Sequence, residues 1–565
     1  KCQPSRQTIQ IGRNQIGRRQ RPATGARTMS NFATPIGRRA LVQGLGATAA
    51  AAASPVRAGQ AGDPVAETRA GKVRGFNQGP LKVFRGIRYG ADTATTRSMP
   101  PAPPKPWAGV AEAKTFGPKT PQFESSGGAT AALLSTWATP ETMSEDCLVL
   151  NIWTPGLRDK KRPVMFWIHG GGFANGSGAR LGYDGSRLSQ RGDVVVVTVN
   201  HRLNIFGYLG LAEVGGAAYA DSGNAGQHDL IAALRWVRDN IAEFGGDPNN
   251  VMIFGESGGG AKTSALLAMP AAKGLFHRAA VQSGPLLRGV PQTRATATVR
   301  RVLSDLGAGP NDVAALRNAP MDKLLAVYAK LGPMSQSLSP VVDGRGLPNH
   351  PFDPAAPSAS RDVPLLIGTC RTETTFVFNG DKYFNMSWEA LPTLMQPYMA
   401  KASSGDIVAA YRKLMPAAAP ADIFYDVLTK IMMERNTVTL AERKAALGAA
   451  PAYVYELTWA TPVHGGVWRS PHTLDIPFIF DDLGHSPNLA GTGPDSQAMA
   501  DLMSEAWIAF ARSGNPQTKA LPTWPKYDAK RRATMQFDLP PKLADNPAGP
   551  ALDILRDTMF WDMTA

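Results

Sequence analysis

A glycine-rich stretch, "FGESGGGAKTS" at positions 254–264, places Ser257 between Gly255 and Gly259 in a GxSxG pattern. The apolar run "VMIF" precedes the pattern, and helix-forming residues follow it. A serine on such a strand-to-helix turn exposes its hydroxyl, and only small neighbours let the turn close. The bare pattern also occurs in ordinary glycine turns, so it is the strand and helix around it that favour Ser257 as a nucleophile.

A second glycine-rich stretch, "HGGGF" at 169–173, follows a buried apolar run about ninety positions earlier. Consecutive glycine amides can approach a bound carbonyl closely because no Cβ lies in the way. The amides of Gly171, Gly172 and Gly258 would together form an oxyanion hole, in which each donor is typically worth about 2.7–4 kcal/mol of transition-state stabilisation. Two independent elements in this order favour acyl-transfer chemistry over a structural loop.

A serine hydroxyl is a poor nucleophile at neutral pH and needs a histidine base that a carboxylate holds in one tautomer. For the acid we favour Glu373 in "TCRTETTF", directly after the apolar run "PLLIG". Asp343 in "PVVDGRG" is the alternative, although Asp-Gly is typical of a turn. For the base we favour His472 in "SPHTLDIPFIF", but His464 and His485 lie in similar loop-like stretches, and position alone does not choose.

The elements that must position these residues alternate short apolar runs with helical patterns between about 65 and 270. Strands are predicted in "PVMFWIHGGGF", "DVVVVTVNHRL" and "NVMIFGES", and helices in "QHDLIAALRWVRDNIAEFGGDP" and "GGAKTSALLAM". Continuous apolar strands separated by helices indicate a parallel sheet covered on both faces. The predicted fold class is therefore α/β, with mostly helical segments at 290–450, the strands "PLLIGTC" and "AYVYELTW", and a last helix "AMADLMSEAWIAFARSG".

Charge and composition exclude several function classes. The formal net charge is +15, but ten of the 60 basic residues and none of the 45 acidic residues fall in the first 58 positions. The nearly balanced remainder gives no electrostatic reason to expect a nucleic-acid partner, and no stretch is apolar enough to span a membrane. No spaced His/Cys cluster suggests a metal, so we expect no cofactor and a small-molecule substrate.

The basic N-terminal stretch, residues 1–58, includes a segment that resembles a bacterial twin-arginine export signal. Arg38 and Arg39 precede an uncharged stretch of small residues at 40–56, which ends in a small-residue cleavage pattern near Ala58. We therefore expect a signal peptide at 29–58, a periplasmic or secreted mature protein, and an upstream or non-native segment at 1–28. A disordered basic tail is the alternative. Residues 59–565 show no linker-like segment and are expected to form one domain.

Only Cys2, Cys147 and Cys370 are present, and Cys2 would be removed with the signal. The other two lie in apolar contexts, "EDCLVLNIW" and "LLIGTCRTE". Isolated cysteines in such surroundings are more often buried thiols than a disulfide or a metal site. We therefore expect two free, buried thiols.

From about residue 69 to the end, the chain resembles type B carboxylesterases of the α/β-hydrolase superfamily, a group that includes bacterial para-nitrobenzyl esterases and the cholinesterases. The matching segments include "FRGIRYG", "SEDCLVLNIWTP", "WIHGGGFANGS", "VVVTVNHRLNIFGYL", "FHRAAVQSG", "HTLDIPFIF" and "AWIAFARSGNPQT". The resemblance implies an α/β-hydrolase fold: a large, mostly parallel sheet flanked by helices, with helical insertions over the active site. It also implies a triad of Ser257, Glu373 and His472, and thereby favours His472 over His464.

The resemblance further implies that Gly171, Gly172 and Gly258 supply the oxyanion amides. Gly258 stands where the family usually has alanine, a change that keeps the amide donor. Glu256 resembles a buried glutamate of the family, for which tuning the site, positioning water and a purely structural role are all open. Phe173, Phe376 and Trp468 lie near the matched motifs, where each could line a pocket or belong to the core.

The implied reaction is ester hydrolysis through an acyl-enzyme, without a cofactor. Hydrolysis of another acyl bond, such as an amide, lactone or polyester, is the alternative enzyme, because pocket shape and leaving group set that preference. The other alternative is a noncatalytic binding protein, since some family members keep the fold and lose the nucleophile. The presence of serine, glutamate and histidine together at the three matched positions argues against that alternative.

Overall fold

Short β-branched and aromatic runs form the strands of the computed structural model, which describes residues 62–123 and 128–558. Numbered β1 to β16 in chain order, these strands cover Val65–Thr68, Gly71–Arg74, Phe76–Gln78, Leu81–Arg88, Val110–Glu112, Val149–Thr154, Arg162–Ile168, Val195–Val199, Gly246–Glu256, Arg278–Gln282, Val290–Pro291, Val341–Val342, Leu365–Cys370, Ala452–Leu457, Ala533–Phe537 and Lys542–Asp545. The segments predicted at 1–28 and 29–58, with the arginine pair and the cleavage point, lie outside the described residues.

Eleven strands of the described residues join into one sheet, in the order β16-β15-β14-β13-β10-β9-β7-β8-β6-β4-β3. The run from β15 to β8 is parallel throughout. The predicted α/β class is confirmed, and the apolar runs predicted as strands before "HGGG", "NHRL" and "ES" form β7, β8 and β9.

The two edges of the sheet depart from the parallel pattern. At one edge, β3 pairs antiparallel with β4, β4 with β6, and β6 with β8. At the other edge, β16 pairs antiparallel with β15. For β3–β4 and β15–β16 the short connection requires this, because a parallel pair needs a crossover of a dozen or more residues and a hairpin does not. Only two residues separate β3 from β4, and one of them is Gly79, whose φ of 57° suits a tight turn.

Helices cover both faces of the sheet. Numbered α1 to α18, they span Gly128–Leu133, Ser186–Gly192, Asn204–Gly207, Ala212–Gly215, Ala225–Asn240, Gly258–Ala268, Gln292–Leu306, Val313–Asn318, Met321–Lys330, Asp381–Phe384, Ala390–Met395, Ser404–Leu414, Pro420–Thr429, Arg435–Ala446, Asp475–Ile479, Pro487–Ala490, Pro494–Ser513 and Gly549–Ile554. The helices predicted around 227–245, 258–269 and 498–513 are α5, α6 and α17.

The core lies on both sides of the sheet, as β7 illustrates. Val164, Phe166 and Ile168 belong to one apolar cluster together with residues of α5. Met165 and Trp167 belong to the opposite cluster together with residues of α15 and α17. Successive side chains of a strand point to opposite faces, so a continuous apolar run is what a strand buried on both faces requires.

The mostly helical stretch predicted at 290–450 forms further apolar clusters beside the sheet. One of them joins α7 and α9 with the segment that follows the "HGGG" stretch. Another joins α11, α12 and α13 with α18. Along residues 62–123 and 128–558, no helix combines the length and the apolar character that crossing a bilayer requires.

Candidate active site

Ser257 occupies the sharp turn between β9 and α6. Its φ of 56° and ψ of −123° lie in a region that non-glycine residues rarely adopt, at a typical cost of about 1–3 kcal/mol. The turn is held from both sides, because the Ser257 amide donates to the Gln282 carbonyl at 2.8 Å and the Ser257 carbonyl accepts from the Ala261 amide at 3.0 Å. The hydroxyl thus sits, half-buried, at the N-terminus of α6.

The glycines around Ser257 are required by close backbone contacts. A Cβ on Gly259 would lie 1.9 Å from the Ile168 carbonyl oxygen, and a Cβ on Gly255 would lie 2.5 Å from the same atom. A Cβ on Gly284 would lie 1.9 Å from the Ser257 carbonyl oxygen. Each distance is far below van der Waals contact, so the strained turn depends on glycine at several separate positions.

The "HGGGF" loop lies against this turn. Gly171 and Gly172 have φ values of 90° and 60°, and their amides donate no hydrogen bond within the described residues. A Cβ on Gly258 would lie 2.2 Å from the Gly172 carbonyl oxygen, so glycine at 258 lets the loop approach closely. The loop therefore brings two uncommitted amide donors close to the N-terminal end of α6.

Glu373 and His472 form a hydrogen-bonded pair, with Nδ1 of the imidazole 2.5 Å from Oε2 of the carboxylate. The other oxygen of Glu373 accepts from Ser283 Oγ at 2.6 Å and from the Cys370 amide at 2.7 Å. Glu373 is buried at the carboxyl end of β13, and His472 lies on the loop before α15. A carboxylate fixed in this way can orient the imidazole and stabilise its charged form.

The second nitrogen of His472 faces Glu256 instead of Ser257. Nε2 lies 3.2 Å from Glu256 Oε1, and within the described residues no hydrogen bond joins it to Ser257 Oγ. Burial lowers the pKa of His472, but the carboxylates of Glu256 and Glu373 raise it more, to about 9. Burial also raises the pKa of the Glu256 carboxyl, to about 8, while the charge of His472 acts in the opposite direction.

A third buried carboxylate, Asp475, lies behind this pair. Its Oδ2 accepts from the Tyr455 hydroxyl at 2.8 Å and from Gln282 Nε2 at 3.1 Å. Burial is the main cause that raises its pKa, to about 6. Because Asp475 also contributes to the raised pKa of His472, the imidazole sits in a region of negative charge that favours its protonated form.

The alternative residues considered from the sequence lie elsewhere. His464 is exposed, and His485 pairs with Asp482 at 2.7 Å. The Asp343 carboxylate accepts from Asn224 Nδ2 at 2.8 Å and from the Arg345 and Leu347 amides, which makes it a turn-forming residue. Of the candidate bases and acids, the structure brings together His472 and Glu373.

A cavity of about 340 Å³ contains Ser257, His472 and part of the "HGGGF" loop. That volume suits a small organic ligand. Its lining comprises Lys119, Gln122, Thr130, Ala131, Leu134, Ser135, Trp137, Ala138, Thr139, Glu141, Gly170, Gly171, Asn175, Gly176, Ser177, Arg180, Tyr183, Glu256, Ser257, Phe376, His472 and Thr473. Among the three aromatic candidates, Phe376 lines the cavity, whereas Phe173 and Trp468 are buried in apolar clusters.

Sequence reasoning missed Lys262, whose side chain binds carbonyl groups of the "HGGGF" loop. Its side chain is fully buried, and Nζ donates to the His169 carbonyl at 3.1 Å and to the Gly172 carbonyl at 2.8 Å. Within the part of the chain that the structure describes, no carboxylate lies at ion-pair distance, and burial lowers the pKa of Lys262 to about 7. The detectable signal was a single charged residue in the otherwise uncharged helix α6.

The described cysteines and metal-ligating residue types were also compared with the sequence expectations. Cys147 and Cys370 are free and buried, which confirms the expected thiols. Among the described His, Cys, Asp and Glu residues, no group of three is placed to hold a metal ion.

Comparison with known proteins identifies the class of this fold and site. The carboxylesterase family profile matches residues 62–554. The para-nitrobenzyl esterase of Bacillus subtilis is 34% identical over 493 residues, which cover 86% of this chain and 96% of that protein. The crystal structure of a Geobacillus stearothermophilus carboxylesterase is similar with a TM-score of 0.75 and 37% identity, covering 87% of this chain and 99% of that one.

A third relative is an esterase from Clostridium hathewayi that can hydrolyse aliphatic aromatic polyesters, with a TM-score of 0.76 and 33% identity over 88% of this chain and 98% of that one. These similarities define the α/β-hydrolase fold and the class of carboxylic ester hydrolases. The chain belongs to the carboxylesterase family, type B, as the sequence motifs indicated.

The hydrogen bonds of Lys262 predict that this lysine holds the conformation of the "HGGGF" loop. Lys262→Met keeps the apolar stem but removes both hydrogen bonds to the loop carbonyls. We expect kcat/KM for para-nitrophenyl butyrate to fall roughly ten- to hundredfold, the scale on which a displacement of about 1 Å acts on catalysis. Lys273→Met, at an exposed position, is the matched control and should retain activity. Unchanged kinetics in Lys262→Met would show that the loop holds its conformation without this lysine.

Proposed function

We propose that this chain is a serine carboxylesterase that hydrolyses carboxylic esters through an acyl-enzyme intermediate on Ser257. The observation that carries the proposal is the short Glu373–His472 hydrogen bond in the cavity that also contains Ser257 and the glycine loop. The substrate is a small-molecule ester, and the chemistry requires only the side chains and amides already described.

In the acylation step, His472 Nε2 takes the Ser257 proton as Oγ attacks the ester carbonyl. The carbonyl oxygen becomes an oxyanion that the amides of Gly171, Gly172 and Gly258 stabilise, with help from the positive end of α6. Glu373 stabilises the imidazolium that forms. When the tetrahedral intermediate collapses, the carbon–oxygen bond to the alcohol breaks, and His472 returns the proton to the leaving alkoxide.

In the deacylation step, His472 takes a proton from water as the water oxygen attacks the acyl carbon, and Ser257 leaves as the restored hydroxyl. Both steps require Nε2 to turn from Glu256 to the reacting oxygen, and catalytic hydrogen bonds often tighten only when substrate is bound. Glu256 lies close enough to tune the proton affinity of His472 or to position the water. A purely structural role for this carboxyl is the alternative.

The triad assignment predicts which serine and histidine substitutions abolish activity. We expect Ser257→Ala and His472→Ala to lower kcat by roughly four orders of magnitude or more with the fold intact, because the triad acts as a unit. His464→Ala is the matched control and should keep most activity, since His464 is exposed outside the cavity. The assay is hydrolysis of para-nitrophenyl esters of graded acyl length, with circular dichroism as the folding check.

Two results would contradict this assignment. Loss of activity in His464→Ala with retention in His472→Ala would overturn the choice of base. Failure of a folded wild-type protein to hydrolyse any ester in the series would favour the noncatalytic binding protein.

The carboxylates around His472 predict that kcat/KM is highest at alkaline pH. His472 must be neutral to accept a proton, and the carboxylates near it raise its pKa above the ordinary value, so kcat/KM should rise with pH and level off only at alkaline pH. Glu256→Gln removes the largest single interaction that raises this pKa, and the rising limb should shift to lower pH. Glu213→Gln, an exposed carboxylate far from the cavity lining, should leave the profile in place. A limb that Glu256→Gln does not move would rule out this coupling.

We further propose that the protein is exported from the cytoplasm. Arg38 and Arg39 with the stretch at 40–56 form a twin-arginine signal within 29–58, residues 1–28 are upstream or non-native, and 59–565 form one catalytic domain. The family match supports this division because it begins at residue 62, just after the predicted cleavage point.

The export signal predicts a shortened chain outside the cytoplasm. In cells expressing the full chain, we expect a form that begins near residue 59 in the periplasm or medium, and we expect Arg38→Lys with Arg39→Lys to retain the precursor inside. Cell fractionation with intact-mass measurement gives the result. Finding only the full-length chain in the cytoplasm would count against export.

A further inference from the structure

The cavity that contains Ser257 also presents a guanidinium group without a partner among the described residues. Arg180 lines the cavity and is half-buried. Its backbone is fixed, because its carbonyl accepts from the Tyr183 amide at 2.9 Å at the start of a short 3₁₀ turn, Leu181–Tyr183. Within residues 62–123 and 128–558 its side chain makes no hydrogen bond and no ion pair. A half-buried cation in this position is free to bind an anion.

Glu141 lines the same cavity wall, and its carboxylate already accepts two hydrogen bonds. Its Oε1 accepts from Ser177 Oγ at 2.5 Å, and its Oε2 accepts from Thr139 Oγ1 at 3.1 Å. Burial is the main cause that raises the pKa of Glu141, while the charges of Lys119 and Arg180 act in the opposite direction. Glu141 therefore feels the charge of Arg180 without forming an ion pair with it.

Lys119 adds a second cation to the same wall. It lies in a bridge between two segments, where its amide donates to the Thr142 carbonyl at 3.0 Å. Away from the Glu256–His472 pair, the charged side chains on the described part of the wall are thus those of Lys119, Arg180 and Glu141. Much of the remaining surface is apolar or aromatic, from Leu134, Trp137, Tyr183 and Phe376.

We infer that this cavity selects ester substrates that carry an anionic group, which Arg180 binds while Ser257 attacks the ester. A guanidinium presents a planar fork of donors that matches a carboxylate, and such charge-assisted contacts are about twice as strong as neutral hydrogen bonds. Low-dielectric walls strengthen the attraction further. The inference rests on the proposed esterase function and specifies its substrate class.

The test compares an anionic ester with its neutral isostere in the full-length protein. Monoethyl glutarate and the corresponding monoamide ethyl ester place the charge on the acyl side. The acetate ester of γ-hydroxybutyrate and its amide place the charge on the alcohol side. Acid release in a pH-stat gives kcat and KM for each, and the quantity of interest is the ratio of kcat/KM between the anionic and the neutral member of a pair.

We expect wild type to prefer the anionic member of at least one pair. In Arg180→Gln the ratio for that pair should fall roughly ten- to hundredfold, the range that one charge-assisted hydrogen bond supplies, mainly through KM. Arg180→Lys keeps the charge without the fork and should give an intermediate ratio. Arg235→Gln removes the same charge at an exposed position on α5 and should reproduce the wild-type ratio.

An unchanged ratio in Arg180→Gln, or an equal fall in Arg235→Gln, would overturn the inference while leaving the esterase function in place. A wild-type protein that prefers the neutral esters would overturn it as well. Absence of hydrolysis of all four esters and of para-nitrophenyl butyrate would instead refute the proposed function itself. The two failures are therefore distinguishable.

Discussion

The site depends on one packing constraint: three backbone segments meet at distances that exclude a Cβ. The end of β7, the Ser257 turn and the segment after β10 approach so closely that Gly259 and Gly284 would each place a Cβ 1.9 Å from a neighbouring carbonyl oxygen. This contact holds Ser257 at a φ that an isolated turn would avoid. Positive φ recurs at Ser283 and Thr473, which adjoin the Glu373 and His472 positions. The rigid parallel sheet beneath stabilises strained residues from several segments.

The second constraint is that the site buries several charged groups. The buried carboxylates lie around His472, whereas the buried lysine lies against the "HGGGF" loop. Glu256, Glu373 and Asp475 surround one imidazole, and their charges raise the pKa of His472. Among the described residues, Lys262 is stabilised by carbonyl oxygens of the "HGGGF" loop alone. Desolvation favours its neutral form, whereas the carboxylates around His472 favour a bound proton on the imidazole.

Sequence predicted the parts of this site that regular elements position. Ser257 follows from a glycine pattern between a strand and a helix, and Glu373 follows a strand directly, so both could be placed from periodicity and spacing. His472 lies on an irregular loop, where no periodicity distinguishes it from other loop histidines, and only the family resemblance selected it. Lys262 was missed because an amphipathic or apolar helix pattern does not reveal which charged residue faces inward. Arg180 was missed because a cavity wall built from distant segments leaves no local pattern.

The segment after β7 carries both groups that the proposals depend on, the glycine amides and Arg180. From Gly170 to Tyr183 the same short stretch supplies the glycine amides, Ser177, which holds Glu141, and the Arg180 side chain. It is anchored to the sheet at Gly178, whose amide donates to Asn200 Oδ1 at 2.7 Å and whose Cβ position lies 2.9 Å from the Val199 backbone. Because this anchor lies between the glycine amides and Arg180 along the chain, it fixes the backbone of both relative to the sheet. In the proposed esterase, a side-chain substitution at position 180 would therefore change substrate preference without moving the glycine amides.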